Sequence, residues 1–347
     1  MRTRAIIGTG AATAVLAMAV SAWAATAVGV RTTQANEALP AAGIDSVSGD
    51  SFLAWSQSRP GHRNLYDAYL KKNAEPAVKL NRRGRGWSGG LDTAAHMAVY
   101  QQARNGNSDV ILYDWATGTR SKPGLPVNTP KWEYDPSVSG HWLAFARLNA
   151  SASPDVRRLL LYDRDAHTII RLDTLRANAS RGTLVGGQVN GDWVVWSKVS
   201  GGWDTWSVFR HQISTGQTER VPRPSGRFDY APSVTADGTM YFFRSGSVCG
   251  NSVGLRSYDT AGVTRLLFTL PAGRDAYKSY ASDRGDGTVD VFYDSVRCAA
   301  RPPNWNIYKV NVTSGSGLRE ALTARGGVDT TMSRMPVGAA AAGGGRP

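Results

Sequence analysis

Six times between Gly43 and Leu322 the chain returns to one plan: a turn, an apolar run closing on an aromatic, a loop, a second apolar run, a turn and a third run. The aromatics that close the first run are Trp55, Tyr100, Phe145, Trp196, Phe243 and Phe292, which gives successive intervals of 45, 45, 51, 47 and 49 residues. A period of that size belongs to radial or solenoidal arrays, in which each unit buries its apolar faces only by stacking on its neighbours. The runs are four to six residues long and rich in aromatic and β-branched types, a pattern of strands and too short for helices.

The third unit shows the plan in full: Pro136 to Ser139, a turn at Gly140-His141, Trp142 to Arg147, a loop, Leu159 to Tyr162, a turn from Asp163 to His167, and Thr168 to Leu172. The first turn recurs as Gly49-Asp50, Gly191-Asp192, Asp237-Gly238 and Asp286-Gly287, where glycine supplies the positive φ of a tight hairpin. Four antiparallel strands make one twisted sheet with two faces to cover, and about six such sheets around an axis cover every face. The expected fold is therefore all-β, a six-bladed β-propeller of four-stranded antiparallel blades.

Asp135 to Phe145 and Ala231 to Phe243 combine Pro-Ser-Val, a glycine turn and an apolar-aromatic strand. Asn64-Leu65-Tyr66, Asp204-Thr205-Trp206 and Asn306-Ile307-Tyr308 add a second recurring triplet. These residues resemble the TolB-like six-bladed propellers, over nearly all of residues 43–333. The resemblance implies a fold more than a function, because that family hosts translocation accessories, binding modules and the gating domains of peptidases. The small α/β domain that precedes the propeller in TolB and the hydrolase domain of the peptidases have no counterpart in the repeat pattern.

Residues 1–27 carry Arg2 and Arg4, an apolar stretch and the small-residue patterns Ala22-Trp23-Ala24 and Ala25-Thr26-Ala27, which read as a secretory signal peptide. Gly8, Thr9, Gly10 and Thr13 interrupt the stretch, so no membrane span is expected in the mature protein, which is read as secreted or wall-associated and monomeric. Residues 28–42 and 334–347 are small, polar or Gly/Ala-rich and are expected to be disordered. Gly327 to Thr331 repeats the look of Gly90 to Ala94, which makes it either a last strand returning to the first blade or an unpaired remnant.

Cys249 lies 11 residues after Gly238, and Cys298 lies 11 after Gly287, so the two share one loop position in neighbouring units. In a secreted chain with two cysteines this predicts a disulfide between the fifth and sixth blades.

Catalytic patterns are sparse. His62, His96, His141, His167 and His211 scatter over turns on both faces, against the convergence a zinc site needs. No Gly-x-Ser-x-Gly elbow and no phosphate loop occurs. Asp45, Asp92, Asp135 and Asp229 recur near first strands and are expected to ring the channel mouth, where they would hold calcium or, in the alternative reading, serve a glycan hydrolase or lyase as acid and base. The leading expectation is a non-enzymatic binding or scaffolding module without a cofactor.

The net charge is +13 and stays at +11 once Arg2 and Arg4 are removed, which favours acidic partners. Loops between second and third strands carry Arg59, Arg63, Arg104, Arg157, Arg297 and Arg301, with Trp203 and, just past the last loop, Trp305. Arginine with tryptophan is the composition of a recognition surface, here for an extracellular protein or an anionic wall polymer. Nucleic acid is not expected, since no basic helix or aromatic binding sheet is present in the pattern.

Overall fold

The computed structural model describes residues 28–31, 35–177, 182–201, 205–247, 249–250, 252–299 and 304–313. The expected signal peptide (1–27), the expected tail (334–347) and Gly327 to Thr331 lie outside them. Every helix-length or strand-length element among the described residues is a β-strand, so no helix there is long and apolar enough to cross a membrane.

The strand β1 (Val28–Arg31) is followed by an antiparallel meander of β2 (Glu37–Ile44), β3 (Ser51–Arg59), β4 (His62–Lys72) and β5 (Val78–Lys79). The next two meanders are β6 (Arg85–Asp92), β7 (Met97–Arg104), β8 (Asn107–Asp114) and β9 (Thr119–Ser121), then β10 (Trp132–Ser139), β11 (Trp142–Asn149), β12 (Val156–Asp163) and β13 (Thr168–Arg176). A single parallel bridge, Trp132 to Ser108, joins these two into one eight-stranded sheet. The strands β14 (Gly182–Asn190), β15 (Trp193–Ser200), β16 (Ser207–Gln212) and β17 (Gln217–Arg220) form the next sheet. Another consists of β18 (Phe228–Val234), β19 (Met240–Ser245), β20 (Gly254–Tyr258) and β21 (Thr264–Thr269). The last comprises β22 (Arg274–Asp283), β23 (Thr288–Arg297) and β24 (Trp305–Thr313), and β1 pairs antiparallel with β24 as its outer strand.

Chain closure therefore runs through the amino-terminal segment. Within the segment expected to be disordered, residues 28–31 form β1 and residues 37–42 form most of β2, whose Ala41 and Ala42 are buried. The small, polar composition that reads as a linker is what a crowded inner strand needs. The first strands touch in a cycle, β2 to β6, β10, β14, β18, β22 and back to β2.

Each first strand carries a bulge at the same place, formed by Leu39-Pro40, Gly89-Gly90, Asp135-Pro136, Gly187-Gln188, Ala231-Pro232 and Tyr277-Lys278. A bulged residue leaves the ladder, which is why proline is tolerated here and why Leu39, Asp135 and Ala231 adopt positive φ. The bulges crowd one another around the axis: a Cβ on Gly89 would lie 2.3 Å from the Pro136 carbonyl oxygen. Side chains also cross the axis. Lys278 donates to the Gly186 carbonyl, Gln188 donates to Ala281 O at 2.9 Å, and Tyr280 donates to Leu91 O at 2.8 Å, each spanning non-adjacent first strands. The centre of the ring is filled at these levels.

Between sheets the core is aromatic and aliphatic, with Trp55, Tyr100, Phe145, Trp196 and Phe243 fully buried. These are five of the six repeat-closing aromatics, so the period in the sequence is the period of inter-sheet packing.

Candidate functional site

Loops between second and third strands, and connectors from one meander to the next, emerge together, and at β6–β9 they border an open cleft of about 330 Å³. Its construction starts at the connector from β5 to β6. Leu80, fully buried, donates its N–H to Ala68 O at 2.7 Å, and Asn81 Oδ1 accepts from Ala68 N at 2.8 Å. Asn81 Nδ2 donates to Asp67 at 2.8 Å, and Asp67 also accepts from Arg59 Nε and Nη2 and from Lys79 Nζ. Burial works against the Asp67 carboxylate, but Arg59, Lys79 and Asn81 outweigh it and hold its pKa below the ordinary value. Arg59 reaches further, to the Gly84 carbonyl. Gly84 has positive φ, and a Cβ there would stand 2.2 Å from Ala103 O, so the connector lies directly against the strand that ends in Arg104.

This scaffold presents Arg82, Arg83 and Arg104, all exposed, to the cleft together with Arg120 and Lys122. Arg120 is anchored by hydrogen bonds to Leu80 O at 2.7 Å and Lys79 O at 3.1 Å and lies over the Tyr113 ring. Lys122 pairs with Asp109 at 2.8 Å. No described carboxylate pairs with Arg82, Arg83 or Arg104. Tyr100 and Ile111 line the apolar part, with the Tyr100 hydroxyl donating to Leu80 O at 3.1 Å, and burial pushes its pKa up to about 12. Gln102 and Ser121 add neutral polar groups.

Because Asp67 ties four cationic or amide hydrogen bonds into one buried point, Asp67→Asn is expected to destabilise the fold by about 2 kcal/mol, the cost of leaving such donors without a charged acceptor. Urea denaturation measures it, and a midpoint equal to that of the unaltered protein would show that the connector is held by other means.

The residues expected from sequence fare unequally. Arg104 lines the cleft. Arg59 does not face a ligand: it is committed to Asp67 and Gly84 and positions the connector. Arg157 is 7% exposed and donates to Ala177 O at 3.2 Å, so it also serves the structure. Arg297 is exposed at the end of β23, away from the residues that line the cleft. Trp305 is half-buried and packs edge-on against Tyr277, with centroids 6.1 Å apart. The Arg63 side chain, Trp203 and Arg301 lie outside the described residues. Arg82, Arg83, Arg120 and Lys122 are not among the residues expected from the loops, although Asn81-Arg82-Arg83-Gly84-Arg85 is a visible basic run on a connector.

The four aspartates do not ring a channel mouth. Asp45 accepts from Val47 N and Ser48 N in a turn, and Asp92 accepts from Ala95 N and Gly140 N at the same end of the sheets. Asp135 sits in a bulge beside Gly186 N, where burial, only partly offset by Lys278, raises its pKa. Asp229 is fully buried against Arg244, at 2.7 Å. They accept hydrogen bonds at different depths, and no three of them bring carboxylate oxygens within 4.8 Å of one another. Among the described residues only Cys249, Asp275 and Cys298 bring three potential metal-ligating atoms within 4.8 Å, and both sulfurs are joined in the disulfide. That disulfide links the loops of neighbouring sheets, as expected, with Cα atoms 5.7 Å apart.

The histidines are separate: His96 lies 3.4 Å from Asp45, His167 bonds the Tyr162 hydroxyl, and His211, whose pKa burial lowers, bonds Thr218.

No protein-family profile matches the sequence, and no curated protein matches it. Among solved structures it is similar to a putative TolB from Agrobacterium tumefaciens, at TM-score 0.51 and 14% identity over 81% of this chain and 92% of that one. It is also similar to TolB from Acinetobacter baumannii, at TM-score 0.49 and 14% identity over 75% of this chain, and it spans 63% of that protein's length. An oligogalacturonate lyase in complex with manganese is similar at TM-score 0.45 and 10% identity, over 82% of this chain and 99% of that one. The chain has the TolB-like β-propeller fold, and at such identities the fold assigns no activity.

Proposed function

We propose that the protein is a secreted, monomeric, six-bladed propeller that binds or scaffolds an anionic extracellular partner, a wall polymer or the acidic surface of a protein, and performs no chemistry of its own. The observation that carries this reading is the cleft on the second blade: five cations against one carboxylate, Asp109, in a site whose supporting hydrogen bonds are complete without a ligand. Uncompensated arginines on rigid backbone are a recognition surface. The disulfide and the absence, among the described residues, of a long apolar helix are compatible with an extracellular or periplasmic location.

The test is binding of the mature protein to envelope fractions. The triple variant Arg82→Glu, Arg83→Glu, Arg104→Glu is expected to lose binding by more than about tenfold, and binding by the unaltered protein is expected to fall steeply with salt, since cation contacts to a polyanion release counterions. Undiminished binding by the triple variant would refute the reading.

A further inference from the structure

We propose that the cleft on the second blade is a receptor site for a phosphate ester carried on a polyol or sugar, the unit that repeats along phosphodiester polymers. The inference rests on the binding role proposed above and names the chemistry that the site selects.

The argument begins with charge. Five cations and one carboxylate leave a surplus of four positive charges around a volume at the small end of ligand-sized cavities. Lys122 is spoken for by Asp109, and Arg120 by two backbone carbonyls and the Tyr113 face. Three guanidinium groups, Arg82, Arg83 and Arg104, stay without a described carboxylate partner. Each guanidinium presents planar pairs of donors, and a phosphate ester presents several oxygens in a tetrahedron, so more than one fork can engage it at once. A carboxylate has two oxygens in one plane and satisfies a single fork well. The number of unengaged forks therefore favours phosphate.

The remainder of the lining says what the phosphate is attached to. Tyr100 and Ile111 back the cleft but are almost wholly buried, at 1% and 7% exposure, so a carbon skeleton meets chiefly the aliphatic stems of the lining arginines. Gln102 and Ser121 add amide and hydroxyl groups suited to alcohol hydroxyls. A cavity of about 330 Å³ takes one such unit. Preorganisation comes from the buried hub of Asp67, Arg59 and Asn81 and from the close seat of Gly84, which fix the connector before any ligand arrives.

The experiment is calorimetric titration of the mature protein with a glycerol phosphate oligomer, an oligogalacturonate of equal charge, and inorganic phosphate. The expected result is that the phosphate oligomer binds at least about tenfold more tightly than either control, and that Arg82→Gln, Arg83→Gln and Arg104→Gln each weaken it by about tenfold with unchanged melting temperatures. Equal affinity for the oligogalacturonate would overturn the proposal, because the cleft would then be a general polyanion site. Equal affinity for inorganic phosphate would overturn it too, because the polyol would contribute nothing. Loss of envelope binding in the triple glutamate variant, together with no phosphate selectivity, defeats this inference and leaves the binding role standing. Envelope binding that survives in that variant defeats the binding role itself.

Discussion

Conversion of both Cys249 and Cys298 to serine is expected to lower the stability of the fold by about 4 kcal/mol, the chain-entropy value for releasing a loop of this length. The bond spans 49 positions and joins the loop after β19 to the loop after β23. Its structural neighbours sharpen the expectation. Cys249 N donates to Asp275 at 3.0 Å, the Tyr230 hydroxyl donates to the same carboxylate, and Cys298 N donates to Gly273 O at 2.9 Å, so the disulfide sits in a hydrogen-bonded seam between two sheets. On its far side the last sheet is completed by β1, a strand from the opposite end of the chain. Those two fastenings hold β22–β24 in the ring. Removing one should shift the global denaturation midpoint and also raise amide exchange selectively in β22–β24. A loss below about 1 kcal/mol, or exchange that rises evenly over all sheets, would show that the seam is held by packing alone.

The repeat was legible because inter-sheet packing writes itself into the sequence as recurring aromatics, and the disulfide was legible because the repeat placed both cysteines at one loop position. What the sequence hid follows from the axis. Inner strands crowd one another, so they favour alanine, glycine and proline; Ala41 and Ala42 thus read as a linker, and Pro136, which lies in the bulge, reads as the start of a strand that begins at Trp132. The aspartates misled for a related reason. Recurrence near first strands does not fix depth along the axis, and Asp45, Asp135 and Asp229 stand at the end, middle and start of their strands. At the cleft, Arg104 was found through its loop, but Arg82 and Arg83 lie on a connector whose partner strand only the tertiary structure supplies. Arg59 reads as a ligand contact because a sequence does not show that Asp67, eight residues on, already holds it.

The same comparison isolates Asp294, whose replacement is the other large effect expected. Opposite the bulges stand Trp55, Val99, Phe145, Val195 and Phe242, all buried, and in the last sheet the equivalent position is Asp294, wholly buried. Its carboxylate accepts from Tyr277 N at 2.9 Å, Lys278 N at 2.8 Å and, across to the first sheet, Leu39 N at 3.0 Å. It fastens the last first strand to β2 from inside. Asp294→Ala leaves three N–H groups, one buried and two part-buried, without an acceptor and is expected to cost about 3 kcal/mol. Its titration supplies an independent signature. Burial pushes its pKa up to about 6, against the lowering effect of the three N–H groups and Lys278. The folded state thus binds the proton more tightly than the unfolded chain does. Stability from this source is fully present below the unfolded value near 3.8 and is lost as pH rises through about 6. Relative to Asp294→Asn, which does not titrate, the unaltered protein should lose on the order of 3 kcal/mol of stability between about pH 4 and about pH 7. Denaturation midpoints of the two proteins across that range decide the matter: a constant difference would mean that the Asp294 carboxyl titrates alike in the folded and unfolded chain, and that the fastening does not depend on its proton.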